Sequence, residues 1–335
     1  MMKSLFAVCK QVAVPSVSFP GGINMDTFLP RCRKDKVIIV MGATGTGKSK
    51  LSIHLATKFN AEIVNSDKMQ VYKGLDIATN KVTEEECHGI PHHLMGFVDP
   101  NVEFTADHFR HEASKVVDSI VAKDRLPIIA GGSNSYIKAL VHDNIEFQKR
   151  YNCCFLWVDV SLPVLQSFVS KRVDKMVQAG LVDEARRFYN PNLTNSTVGL
   201  RRAIGVPELD RYFRNENMEN LTDAIDKIKT NTCKLAARQL QNILRLQNQL
   251  EWDMHHFDAT EAFVNDGFKA EEAWESLVAR PSRLIVRDFL YEENEESAAH
   301  NFSKIMSTNS VITGPTISTA AAATAVNAIA AVAAG

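Results

Sequence analysis

Val37-Ile38-Ile39-Val40-Met41-Gly42-Ala43-Thr44-Gly45-Thr46-Gly47-Lys48-Ser49 is the run from which the fold can be read. Its apolar head lacks polar alternation, the pattern of a strand buried on both faces of a parallel sheet. The remainder, Gly42 to Ser49, matches G-x-x-x-x-G-K-[ST] in full, and Leu51, Ile53, Leu55 and Ala56 then continue with helical spacing. Strand, glycine-rich loop and helix in that order are the context that gives the motif its meaning. Gly42, Ala43, Thr44, Gly45, Thr46 and Gly47 can curl so that backbone N–H groups face phosphate oxygens. The helix N-terminus adds partial positive charge, Lys48 a full one, and Ser49 a hydroxyl suited to Mg2+. The loop implies a phosphorylated ligand and leaves open which ligand and which reaction.

Further strands are expected at Ala61-Glu62-Ile63-Val64, Leu126-Pro127-Ile128-Ile129-Ala130 and Cys153-Cys154-Phe155-Leu156-Trp157-Val158. Helical stretches, among them Ala106 to Ala122, lie between them. This alternation means an α/β fold with a mostly parallel sheet, P-loop NTPase-like. Beyond about residue 161 no strand is expected, and Leu165 to Tyr189 and Leu221 to Leu250 read as helix. The expected division is a leader over 1–36, a P-loop α/β core over 37–182, a C-terminal helical domain over 183–306 and a low-complexity tail over 307–335.

The length of 335 residues allows about two domains. Lys+Arg 38 against Asp+Glu 39 leaves a net charge of -1, which argues against a protein that coats nucleic acid. Cys9, Cys32, Cys87, Cys153, Cys154 and Cys233 contain no C-x-x-C and read as reduced thiols. The alanine-rich tail from Ala320 is too weakly apolar for a membrane span, and no membrane association is expected. The leader carries Lys3, Lys10, Arg31, Arg33 and Lys34 against Asp26, is rich in Pro and Gly, and lacks a long apolar stretch. Such a composition suits an organelle transit peptide and hence a plastid, the alternative being a plain leader on a cytoplasmic protein.

Asn65-Ser66-Asp67 puts a carboxylate at the carboxyl edge of the sheet, where ligands of open α/β folds bind. Asp67 could hold Mg2+, act as a base, or merely cap a turn. Cys87, His88, His92 and His93 match no common zinc spacing. Trp157 and Phe155 read as core, and the stripe over Leu221 to Leu250 as a packing face rather than a partner-binding coil.

The run from Asn65 to Lys81, NSDKMQVYKGLDIATNK, resembles the isopentenyltransferase family, which includes tRNA dimethylallyltransferases and plant adenylate isopentenyltransferases of cytokinin synthesis. The phosphate loop, Pro91-His92-His93-Leu94, Gly131-Gly132-Ser133-Asn134-Ser135-Tyr136, Arg172-Val173-Asp174-Lys175-Met176 and Ala236-Ala237-Arg238-Gln239-Leu240 agree, in the family's order. The resemblance is strongest to the plant adenylate type. It implies that the loop holds the diphosphate of dimethylallyl diphosphate and that adenine N6 attacks the prenyl C1. It also implies Asp67 as the base, Thr44 as donor to the bridging oxygen, and Lys48, Ser49 with Mg2+, and Arg172 as the diphosphate clamp. Ser133 falls in a matching motif and is a further candidate for ligand binding.

Two features favour ATP or ADP, and less well AMP, over tRNA as acceptor. Only about ten residues separate Val141 from the strand at Cys153, where tRNA-modifying members carry a helical insertion. No Cys follows Cys233, so the C-terminal zinc finger of eukaryotic tRNA enzymes cannot form. Extra phosphates need extra cations, for which Arg201, Arg202, Lys234 and Arg238 are candidates. The alternatives are a tRNA dimethylallyltransferase, a P-loop small-molecule kinase and a nucleotide-binding switch. The sequence leaves the oligomeric state open, a monomer included.

Overall fold

Asp35–Met41 forms β1, and its residues from Val37 on are buried. The structure, a computed structural model, describes residues 34–193 and 198–291. After β1 come α1 (Lys48–Phe59), β2 (Ala61–Asn65), β3 (His92–His93), α2 (Ala106–Val121) and β4 (Leu126–Ala130). Then follow α3 (Asn134–Val141), α4 (Ile145–Arg150), β5 (Tyr151–Asp159), α5 (Leu162–Gln178), α6 (Leu181–Phe188) and α7 (Val206–Arg214). The chain continues with α8 (Met218–Leu250), β6 (Met254–Asp258), α9 (Thr260–Val264) and α10 (Gly267–Trp274).

The six-stranded sheet has the order β3-β2-β4-β1-β5-β6, and every pairing is parallel. β1 is central: Ile38 faces Ile128 of β4 and Cys154 of β5. Alternate residues point to opposite faces. Ile39 and Met41 therefore pack with Phe109 and Val117 of α2 and Ile137 of α3, whereas Ile38 and Val40 pack with Leu51 and Leu55 of α1 and Val169 of α5. Burial on both faces explains why the β1 sequence is apolar throughout.

Two strands escape the sequence pattern. β3 is only two residues long. β6 arises in the half expected to be helical and pairs only with β5. An edge strand needs few apolar residues, and in Met254-His255-His256-Phe257-Asp258 only Met254 and Phe257 are buried. The expected helix Leu165 to Tyr189 is divided by Gly180, which holds φ 101 between α5 and α6.

α8 runs unbroken for 33 residues. Its inward stripe, Ala224, Ile228, Thr232, Ala236, Gln239, Ile243 and Leu246, is buried. Ala236 joins the core on one face of the sheet, and Ile243 and Leu246 the core on the other. Ala224 and Ile228 pack with Leu181, Ala185 and Leu209 of α6 and α7. The helix thus connects both layers near the carboxyl ends of the strands.

The expected tail lies outside the described residues, as does the expected leader save for its last three, of which Asp35 and Lys36 open β1. Among the described residues Cys87, Cys153, Cys154 and Cys233 are free thiols, and no helix is long and apolar enough to cross a membrane.

Candidate active site

Parallel strands deliver their following loops to one edge, and here those loops line a single cleft of about 1380 Å³. The loop after β1 contributes Thr44, Gly45, Gly47, Lys48 and Ser49; that after β2, Asp67; that after β4, Ser133. α5 adds Arg172, so these candidates, widely separated in sequence, share one cavity. Gly42, Ala43 and Thr46 form the buried back of the phosphate loop.

The loop is held by its own bonds and by the far end of the chain. Thr46 Oγ1 donates to the Ala43 carbonyl at 3.0 Å, as does Lys48 Nζ at 2.7 Å. Gly47 holds φ 94, and a Cβ there would stand 2.5 Å from Cη2 of Trp274. Lys50 sits over the same indole at 4.9 Å and pairs with Glu271 at 2.7 Å. α10 thereby seals the outer side of the loop. It runs into a π-turn, Glu275–Ala279, and then into helix over residues 280–291. Pro281 explains the turn, because it lacks the N–H that an unbroken ladder needs.

Thr44, Arg172, Lys48 and Asp67 form the polar centre. Arg172 Nη2 donates to Thr44 Oγ1 at 3.0 Å. With a lone pair so engaged, the hydroxyl keeps its own proton for another acceptor. Arg172 Nε is buried without a partner, a donor suited to a ligand anion. Burial lowers the Lys48 ammonium from its ordinary 10.5 to about 8, with Asp67 opposing and Arg172 reinforcing the shift. Burial likewise lowers Arg172, and Asp67 counters it.

Asp67 takes up one of the roles considered for it, the cap, in a position that faces the cleft. Its Oδ1 accepts from Met69 N–H at 2.9 Å and Gln70 N–H at 3.4 Å, a turn cap. The cap fixes the carboxyl group, and the residue still lines the cleft. Ser133 lines the cleft, and its Oγ accepts from Lys68 N–H at 2.8 Å and pins the Asp67 loop.

The cations expected from the helical half are redistributed. Arg201 and Arg238 are not among the lining residues. Arg201 lies over the Phe188 ring at 4.8 Å, and Arg238 is exposed, about 100° round α8 from Gln239. Arg202 lines the cleft and pairs with Glu103 at 3.1 Å. Lys68, Lys171, Lys175 and Arg245 also line it. Lys68 and Lys175 lie in matching motifs that assign them no role, and Lys171 and Arg245 lie in none, because a solvated cation on a helix carries no pattern of its own. Gln239 is absent from the expected site too, although a polar residue on the buried stripe of α8 is a legible signal.

For Mg2+, the donor set is Ser49 and the phosphate oxygens of a bound ligand. Among the described residues no cluster of three His, Cys, Asp or Glu residues could cage a metal alone. Mg2+ typically keeps several waters and is held by few protein groups plus ligand phosphates, so Ser49 at the start of α1 fits.

A family model described as IPP transferase matches residues 70–150 and 142–245. The chain is 59% identical over 300 residues to adenylate isopentenyltransferase 5, chloroplastic, of Arabidopsis thaliana, covering 86% of this chain and 90% of that protein. Adenylate isopentenyltransferase 7, mitochondrial, of the same plant is 52% identical, over 82% of this chain and 85% of that protein. The adenylate isopentenyltransferase of Humulus lupulus is 45% identical, over 76% and 90%. Among solved structures, a eukaryotic dimethylallyltransferase acting on tRNA superposes with a TM-score of 0.68 at 25% identity, over 77% of this chain and 80% of that one.

Proposed function

Because the chain belongs to the IPP transferase family, we propose that it transfers a dimethylallyl group from dimethylallyl diphosphate to N6 of a free adenine nucleotide, the first step of cytokinin biosynthesis. The observation that carries this reading is the meeting of the phosphate loop, Arg172 and Asp67 in one cleft. A diphosphate on the loop leaves its prenyl C1 to be attacked from the side of the base.

The N6–C1 bond forms, the C1–O bond breaks, N6 loses a proton and diphosphate departs. Asp67, held by its turn cap, takes the N6 proton. Thr44 donates its hydroxyl proton in a hydrogen bond to the bridging oxygen, with Arg172 supporting that hydroxyl from behind. Lys48 and Arg172 hold the diphosphate charge. Mg2+ beside Ser49 would add charge neutralisation on the diphosphate.

Free ATP and ADP are the acceptors we favour, with AMP poorer. The side chains of Lys68, Lys171, Lys175 and Arg245 have no partner among the described residues and stand ready for phosphates. Between α3 and β5 there is only α4, six residues long, which leaves little to grip a tRNA stem. Plastid residence follows the name of the Arabidopsis chloroplastic relative, and fusion to a fluorescent protein tests it.

The decisive experiment incubates the protein and Mg2+ with dimethylallyl diphosphate and mixed AMP, ADP and ATP, then weighs the products. Prenylated nucleotide with free diphosphate supports the reading. ADP with a phosphorylated product would mean a kinase. Label passing from the donor to added tRNA, and not to nucleotide, would mean a tRNA enzyme.

A further inference from the structure

Gln239 sits on α8 at the place where the separate loops of the cleft meet. Its Oε1 accepts from Thr44 N–H at 2.7 Å, and its Nε2 donates to the Gly132 carbonyl at 2.9 Å. Its own carbonyl accepts from Asn134 Nδ2 at 3.0 Å. The side chain is buried, 8% exposed, so bulk water competes little for these bonds. A Cβ on Gly132 would stand 2.5 Å from Gln239 Nε2 and 3.6 Å from Asp67 Oδ2, which shows how tightly the loops converge.

One amide therefore joins the loop after β1 to the loop after β4. The β4 loop continues the linkage, since Ser133 Oγ accepts from Lys68 N–H beside Asp67. The path runs from Thr44 through Gln239 and Gly132–Ser133 to Lys68 and Asp67. The amide accepts at one end and donates at the other while staying neutral at every pH, which a carboxyl group does only when protonated. Thr44 N–H, moreover, is directed to Gln239 and not into the cleft, so the contact orients the threonine that bears the hydroxyl held by Arg172.

We propose that Gln239 is a positioning residue that sets the spacing between the donor-holding loop and the base-bearing loop. In its catalytic form this rests on the prenyl-transfer reading above. Gln239 holds the two halves of the reaction in register through its bonds to Thr44 and Gly132.

The test uses Gln239→Leu and Gln239→Glu in the full chain, with thermal unfolding to confirm that both fold. Q239L should lose about 10- to 100-fold in kcat, the scale of a small misplacement, with both KM values within about threefold of the unmodified protein. Amide hydrogen exchange over residues 42–49 and 131–134 should accelerate. Q239E supplies the more specific signature. Ionised, near pH 8.5, it accepts from Thr44 N–H but cannot donate to Gly132; protonated, about pH 6, it does both, and burial favours that form. Its rate relative to the unmodified protein should rise as pH falls, while that of Q239L stays flat.

Unchanged kcat in Q239L, a loss confined to donor KM, or a flat Q239E ratio would overturn the proposal. If the unmodified protein makes no prenylated nucleotide, the prenyl-transfer reading fails instead. Hydrogen exchange in Q239L then decides the structural link alone, and unchanged exchange in both loops would overturn it.

Discussion

Asp67 caps a turn and lines the cleft, and one substitution separates the structural reading from the proposed chemical one. Asp67→Asn should keep the acceptor for Met69 and Gln70 N–H and remove the base. Steady-state assays should find kcat down by about 10²–10⁴-fold with nucleotide binding little changed. Turnover near normal would leave Asp67 a cap. Lys48 gives a pH prediction of defined sign. Free of ligand it titrates at about 8, and a bound diphosphate restores its proton. Binding inorganic diphosphate should therefore take up a proton above pH 8, and affinity should weaken by up to about tenfold per pH unit there. Calorimetry in buffers of different ionisation enthalpy measures that uptake. Stability without ligand moves the other way: between about 8 and 10.5 the unfolded chain holds the proton more firmly, so this group's contribution rises with pH. Asp67, Thr44, Lys48 and Ser49 are legible in the sequence because they sit in motifs or at a strand end. Nothing in the sequence ranks Arg201 against its neighbour, and packing on Phe188 keeps it from the cleft that Arg202 lines.

At the scale of elements, short-range pattern serves well where a strand is buried on both sides. β1, β4 and β5 announce themselves by apolar runs, and β2 by Ile63 and Val64 despite the buried Glu62 beside them. β3 and β6 cannot, because an edge strand with one neighbour tolerates histidines. Likewise the contact of α10 with the phosphate loop joins residues too distant for periodicity to pair. It has a measurable consequence. Gly47→Ala must place a Cβ against Trp274 at a backbone angle that disfavours it. The variant should lose about 1–3 kcal/mol of stability, read as a fall in melting temperature, and bind diphosphate more weakly. Ile243, fully buried on α8, should cost about 2–5 kcal/mol when cut to alanine. An unaffected melting temperature for Ile243→Ala would mean that α8 is not part of the core.

Over the whole molecule, a net charge of -1 conceals a cleft lined by Lys48, Lys68, Lys171, Arg172, Lys175 and Arg245. Average charge argues against nucleic-acid coating and says nothing of this local concentration. The acceptor choice proposed above rests on it. Arg245→Ala or Lys68→Ala should narrow the preference for ATP over AMP, chiefly by raising KM for ATP, by about 10-fold or more for each phosphate-binding cation removed. Arg201→Ala should leave the ratio unchanged. Comparing kcat/KM for both nucleotides across the variants tells a built phosphate site from a general positive field, which would weaken evenly with each charge removed.

The packing of Trp274 on Gly47 also imposes an order in time. A polypeptide emerges from the ribosome, or threads through an import channel, with its earlier residues leading. The phosphate loop is thus among the first described parts of this protein to be made. Its wall is supplied by α10, which follows β6 in the chain and is made much later. Contacts so distant in sequence form late and limit the rate of folding. A partly emerged chain therefore carries the whole motif before the residues that complete its outer wall have been made.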